Sequence, residues 1–178
     1  MLEGLNFVEA DPMVYLKSLL WLILAPGSVA GLVPYLLLRD RAGAAMALPE
    51  PLQWLGLGLL GLGAAGLLWC FWDFAAHGKG TPAPVDAPRK LVVRGLYRLV
   101  RNPMYVSVLL ILLGEVLRFE APRLLGYAAI VWLAFHLFVV LYEEPNLRRR
   151  FGEDYEAYRK RVPRWWPRRG DRIEIPLD

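Results

Sequence analysis

The chain has 178 residues, of which 56% are hydrophobic and 21% charged, with a formal net charge of +4. A soluble domain of this length builds its core without apolar runs close to a bilayer span, yet such runs recur here, so lipid is the expected solvent. Cys70 is the one cysteine and lies inside an apolar run, which excludes an intramolecular disulfide and argues against a thiolate metal site. The basic residues flank apolar runs, as topology determinants and partners of anionic lipid do, so nucleic acid is not the expected partner.

The N-terminal stretch carries Glu3, Glu9 and Asp11 and lacks the pattern of a signal peptide. The first apolar run, residues 13–38, contains Pro26-Gly27 and Pro34, which predict a kinked or broken span. The second, 52–76, is dense in small residues (Gly56, Gly58, Gly61, Gly63, Ala64, Ala65, Gly66), a composition that lets helix backbones approach closely in lipid. It ends in Trp69, Trp72, Asp73 and His77, whose i, i+4 spacing reads as an aromatic belt with a local Asp–His pair. A polar, proline-rich connector, 78–102, leads to a third span at 103–117, and a fourth follows at 124–142. Beyond it, Leu147, Phe151, Tyr155, Tyr158 and Val162 recur at helical spacing among Arg, Lys and Glu. They predict an amphipathic helix from Pro145, lying on the membrane or capping the bundle. The run Pro163-Arg164-Trp165-Trp166-Pro167-Arg168 reads as an interfacial anchor within the tail 145–178.

The expected fold is therefore all-α: a polytopic membrane helix bundle, one domain over 1–178, of about four transmembrane helices plus a C-terminal amphipathic helix. Connector 78–102 holds six Lys and Arg and the tail after Tyr142 ten, against two in each of the other connectors. That bias places both termini in the cytoplasm.

Glu143 and Glu144 end the last apolar run, at the dipole-negative end of a helix, where two adjacent anions are disfavoured. Either the pair sits in headgroup water and opens the next helix, or at least one carboxylate holds a cation, an Arg or a positively charged ligand. His136, seven residues earlier, falls on nearly the same face of a regular helix and is either a candidate functional group or a neutral bundle histidine. Arg101, Asn102, Pro103 and Tyr105 gather with Tyr97 at the entry to the third span. There the guanidinium can grip a carboxylate, and the tyrosine faces can hold an adenine or a sulfonium; an ordinary basic loop accounts for the arginines but not for the tyrosines. Metal binding is not expected from two histidines without ligand spacing. The chain contains no P-loop and no nucleophile elbow, and the formal match at Gly56, Gly58 and Gly61 lies inside a span.

These residues also carry a family resemblance over roughly 88–167. Leu91-Val92-x-x-Gly95-x-Tyr97 precedes Arg101-x-Pro103-x-Tyr105. Glu143-Glu144-x-x-Leu147-x-x-x-Phe151-Gly152-x-x-Tyr155-x-x-Tyr158 closes with Val162-Pro163. In order and spacing these motifs resemble the isoprenylcysteine carboxyl methyltransferases and the related phospholipid methyltransferases. The resemblance implies S-adenosylmethionine as cofactor, with S-adenosylhomocysteine as product, bound on the cytoplasmic side. It maps the cofactor contacts onto Arg89, Lys90, Leu91, Val92, Tyr97, Asn102, Pro103, Met104, Tyr105 and Glu143. Candidate catalytic residues are Glu143, Glu144, Arg101 and His136. The family's Arg-His-Pro reads Arg101-Asn102-Pro103 here, and Val139 stands where the eukaryotic enzymes place a substrate-contacting Arg.

The expected partners are a lipophilic small molecule or lipid as methyl acceptor, and membrane lipid, with no obligate protein partner. Two rival readings remain: a nicotinamide-dependent reductase of the sterol or isoprenoid type, against which the acidic pair speaks, and a non-catalytic membrane adaptor, which would bind no cofactor.

Overall fold

The computed structural model describes residues 20, 23–39, 46–77, 91 and 93–167, and the side chains of all of these but 74–77. Among them the chain is all-helical. A π-helical turn, Ser28–Leu32, runs into α1 (Val33–Arg39). The long helix α2 spans Glu50–His77, and a 3-10 turn at Gly95–Arg98 lies in the connector. Helices α3 (Pro103–Phe119) and α4 (Pro122–Phe138) follow. A second π turn, Val139–Glu143, joins α4 to α5 (Glu144–Arg161) without a break.

Two runs, Glu50–Asp73 and Pro122–Arg161, are long and apolar enough to cross a membrane by length and composition. α3 has 17 residues, a rise of about 25 Å. The described part of the first apolar run, Ser28–Arg39, is shorter. Trp54, Leu62, Leu68 and Trp72 on α2, and Ile130, Leu133 and Leu141 on the α4 run (α4 with the π turn after it, residues 122–143), are exposed, an apolar surface suited to lipid contact.

Glycine sets the central packing. A Cβ at Gly63 would lie 2.6 Å from the Ser107 carbonyl oxygen, one at Gly56 2.8 Å from that of Gly114, and one at Gly114 2.7 Å from that of Gly56. α2 and α3 therefore touch backbone to backbone, the contact that small residues permit between apolar helices. Gly58 and Gly61, by contrast, face open space. Leu67, Phe71, Val108, Leu112, Ala128 and Val131 bring α2, α3 and α4 together in one core, against which Val29, Tyr127 and Phe135 pack.

The apolar face of α5 is covered by the connector. Tyr155, Tyr158 and Val162 are buried with Val93 of the connector, and Leu91, Leu147 and Phe151 pack around them. The Tyr158 hydroxyl donates to the Tyr97 carbonyl at 2.7 Å.

Each π turn ends two residues before a proline. The Val33 N–H bonds back to Ser28 just before Pro34, and the Glu144 N–H bonds back to Val139 just before Pro145. A proline ring collides with the carbonyl four residues earlier and brings no N–H. Widening the preceding turn relieves the collision and keeps the helix continuous. The sequence ends the fourth span at Tyr142 and opens a new helix at Pro145; the structure replaces that gap with a wide turn, and the helix departs from helical dihedrals only later, at Gly152 (φ 51°, ψ −122°).

Candidate active site

Pro103 and Asn102 begin the site. Pro103 occupies the first turn of α3, where its missing N–H has no consequence. Asn102, at the N-cap position, does not cap the helix with its side chain. Its Nδ2 instead donates to the Arg164 carbonyl at 3.2 Å, and the Arg101 N–H donates to the Pro163 carbonyl at 2.9 Å. The segment after α5 is thereby strapped across the entry to α3.

The two adjacent acids divide. Successive residues on a helix point about 100° apart. Glu143 lines a cavity of about 530 Å³, where its Oε2 accepts a hydrogen bond from the Tyr105 hydroxyl at 2.9 Å. Glu144 turns the other way and is 5% exposed. Arg164 grips it with two bonds, Nε to Oε1 at 2.6 Å and a terminal nitrogen to Oε2 at 3.0 Å. Arg101 Nη1 lies 3.0 Å from the same Oε1. Burial by itself would raise the Glu144 pKa, but the Arg164 hydrogen bonds and the charges of Arg101 and Arg164 outweigh it and hold the carboxyl below its usual range.

Arg101 belongs to both systems. Besides Glu144, its Nη1 donates to the Tyr155 hydroxyl at 3.0 Å. Its side chain also lines the cavity, and its Nε is buried with no partner among the described residues. Tyr97, Asn102, Met104 and Tyr105 complete this polar end. Ala25, Pro26, Val29, Leu67, Val108, Ala134, Phe135 and Phe138 make the rest of the wall apolar. Tyr105 packs on Phe135 with ring centroids 4.7 Å apart. Tyr97 is carried by the 3-10 turn, which opens at Gly95 with φ +49°. A side chain there would collide with the Asp73 carboxylate and lie 2.8 Å from Trp69 Nε1, so the turn docks on the end of α2 only as glycine.

The structure thus gathers Tyr97, Arg101, Asn102, Met104, Tyr105 and Glu143 around one cavity. Pro103 lies buried behind them at the start of α3, and Leu91 packs under α5. Arg89, Lys90 and Val92 lie outside the described residues, as does the side chain of His77.

His136 is not among the cavity residues. It stacks on Trp132 (centroids 5.5 Å apart, interplanar 23°) and lies 6.1 Å from Trp165, its Nδ1 buried and without a partner among the described residues. The π turn inserts one residue between His136 and the acids and rotates the register by about 100°, toward the face of Glu144. The cavity residues that sequence reasoning missed are apolar and come from four separate segments, so nothing in their local pattern marks them. Arg164 had a local signal, but it pointed to a lipid anchor.

Residues 52–154 match the phospholipid methyltransferase family, more than half of the chain. The protein belongs to that family of methyltransferases. It is 35% identical over 75 residues to protein-S-isoprenylcysteine O-methyltransferase B of Arabidopsis thaliana, covering 42% of this chain and 38% of that protein. It is 34% identical over 74 residues to the probable protein-S-isoprenylcysteine O-methyltransferases of Oryza sativa subsp. indica and japonica, covering 41% of this chain and 38% of each. The chain spans 38% of the length of the curated relatives it matches.

Proposed function

We propose that this protein is an integral membrane methyltransferase that uses S-adenosylmethionine to methylate a lipophilic acceptor at the cytoplasmic face. The acceptor is either the carboxylate of a prenylcysteine-like molecule or a lipid amine. The observation that carries the reading is the Tyr105–Glu143 pair beside Arg101 at the polar end of a largely apolar cavity. Its size lies within the ordinary range of ligand sites, about 300–1,000 Å³.

The side chains fit both ionised groups of the donor's amino-acid end. The Glu143 carboxyl group, ionised beside a cation, is suited to pair with the donor's ammonium group. Arg101 has a buried, unpartnered Nε and Asn102 is beside it, both suited to a carboxylate. Tyr97 and Tyr105 add aromatic surface for a sulfonium or an adenine. When bound, the donor supplies a sulfonium-activated methyl group: the acceptor's lone pair forms the new bond to carbon as the carbon–sulfur bond breaks and its electrons return to sulfur, leaving S-adenosylhomocysteine.

The chain's own contribution is alignment and exclusion of water. A carboxylate acceptor needs no base. An amine acceptor must release a proton, and of Glu143, Glu144 and His136 only Glu143 lines the cavity. Glu144 is held by two guanidinium groups and acts by fixing Arg101 and the strap.

The same reading takes α2, α3, the α4 run and the first apolar run as four spans with both termini in the cytoplasm. Calorimetric titration of the detergent-solubilised protein with S-adenosylhomocysteine tests the cofactor. Incubation with radiolabelled S-adenosylmethionine and either membrane lipid or S-prenyl N-acetylcysteine tests the reaction. Saturable heat and a labelled lipophilic product are expected; no heat from folded protein would overturn the reading.

A further inference from the structure

We infer that Val29, held in place by Tyr127, forms the floor of the cavity and limits the length of apolar chain that the acceptor can bury. The inference rests on the methyltransferase reading above and adds to it the determinant of acceptor length.

The cavity runs inward from its charged end. Along the α4 run, Glu143 and Phe135 both line it, eight residues apart, or about 12 Å of helix. From the N-cap residue Asn102 it reaches to Val108 of α3, and Leu67 of α2 and Val29 also line it. The bond to Val29 from Tyr127, sixteen residues before Glu143, sets Val29 toward the end away from the acid. Leu67 and Val108 belong to the buried core, and Val29 and Phe135 pack directly against that core. The cavity therefore ends on a packed apolar floor. A charged donor occupies the end that offers Glu143 and Arg101, and the floor offers only hydrocarbon, so the part of the acceptor that reaches it is its apolar chain.

The position of Val29 has its own cause. Pro34 has no N–H, so no helical donor reaches back from it to the carbonyls of Val29 and Ala30. Within a bilayer an unpaired carbonyl is costly and finds another donor. Here the Tyr127 hydroxyl, from α4, donates to the Val29 carbonyl at 2.9 Å. Tyr127 does not line the cavity. It is a positioning residue that ties the first helix, widened ahead of Pro34, to α4 just where that helix supplies the floor.

The test uses a series of S-prenyl N-acetylcysteines of one to four isoprene units, with the wild type, Val29→Phe, Val29→Ala and Tyr127→Phe. Turnover and the ligand-induced shift in Tm are read for each. Val29→Phe is expected to lower turnover of the longest analogue relative to the shortest by roughly tenfold or more, since pocket contacts discriminate single hydrocarbon increments on that scale. Val29→Ala moves the preferred length upward, and Tyr127→Phe flattens the profile. A structural defect alone would lower all lengths together. If the wild type transfers no methyl to these analogues but its Tm follows chain length in this variant-dependent way, the floor stands and methyl transfer to a prenylcysteine carboxylate does not. If none of the three variants alters the ratio of long to short in either readout, the acceptor chain lies in the bilayer and the inference is wrong.

Discussion

The Tyr105 hydroxyl, at the start of α3, donates to the Glu143 carboxylate at the end of the α4 run across 2.9 Å and 38 residues of sequence. Neither helix end specifies that contact by itself. It exists because Pro103 starts α3 beside the connector and a π turn aims Glu143 inward. If the pair holds the donor's ammonium group, its two members contribute unequally. Glu143→Gln keeps the shape and removes the charge, and is expected to weaken S-adenosylhomocysteine binding by about ten- to a hundredfold, the value of a hydrogen bond to a charged group. Tyr105→Phe removes only the orienting bond and is expected to weaken it by less, about three- to tenfold. Isothermal titration of both variants checks the order, and equal effects or none would contradict it.

Glu144 predicts a dependence on acid. Its carboxyl is held below its usual range, so its contribution to stability is fully present above the ordinary unfolded-state value, about 4.3. It is lost as pH falls through the lowered folded value, because protonation then releases Arg101 and Arg164. The Tm of the wild type in detergent should therefore fall more steeply below about pH 4 than that of Glu144→Gln. The variant should already be less stable at neutral pH by about 3 kcal/mol, since it leaves two guanidinium groups facing each other without their anion. Parallel Tm curves for the two proteins would show that the carboxylate contributes nothing.

The apolar runs, the prolines and the Glu143-Glu144 step are legible in the sequence because each is a local departure from composition or charge. So is the periodic face of α5, where Leu147, Phe151, Tyr155, Tyr158 and Val162 do form one buried surface. What covers that face is not legible, because Val93 lies more than fifty residues away along the chain. The alignment of His136 with Glu143 assumed a regular helix. Pro145 announces a disturbance, but the sequence does not say whether the helix breaks or widens, and that choice decides which acid shares the histidine's face. His136→Phe should accordingly leave S-adenosylhomocysteine affinity within about twofold while disturbing the contact with Trp165, a combination visible by calorimetry beside Trp fluorescence.

The glycines of α2 separate into two groups that sequence alone cannot tell apart. At Gly63 a methyl group would lie 2.6 Å from a backbone oxygen of α3, and the two helices must move apart to admit it. At Gly61 it would meet nothing. Gly63→Ala should therefore be destabilising by about 1–3 kcal/mol through overpacking. Gly61→Ala should be neutral or stabilising by up to about 1 kcal/mol through helix propensity. Thermal unfolding in the same detergent gives the comparison, and equal Tm values would mean that α2 and α3 are not in backbone contact.

Pro145 offers a test of the π turn itself. Its missing N–H and its ring forbid the ordinary bond to Leu141, and the turn before it is wide. In Pro145→Ala the N–H returns and the collision disappears, so an α-helical turn becomes available to residues 139–143. Tightening that turn rotates Glu143 against α4 by about 100°, out of reach of Tyr105. The substitution also favours helix, so the protein should not lose stability. The expected result is a fall in S-adenosylhomocysteine affinity comparable with that of Glu143→Gln, without a fall in Tm. Loss of both together would indicate general disruption. Unchanged affinity would show that the packing of α4 and α5, not the proline, fixes the wide turn and the direction of the acid.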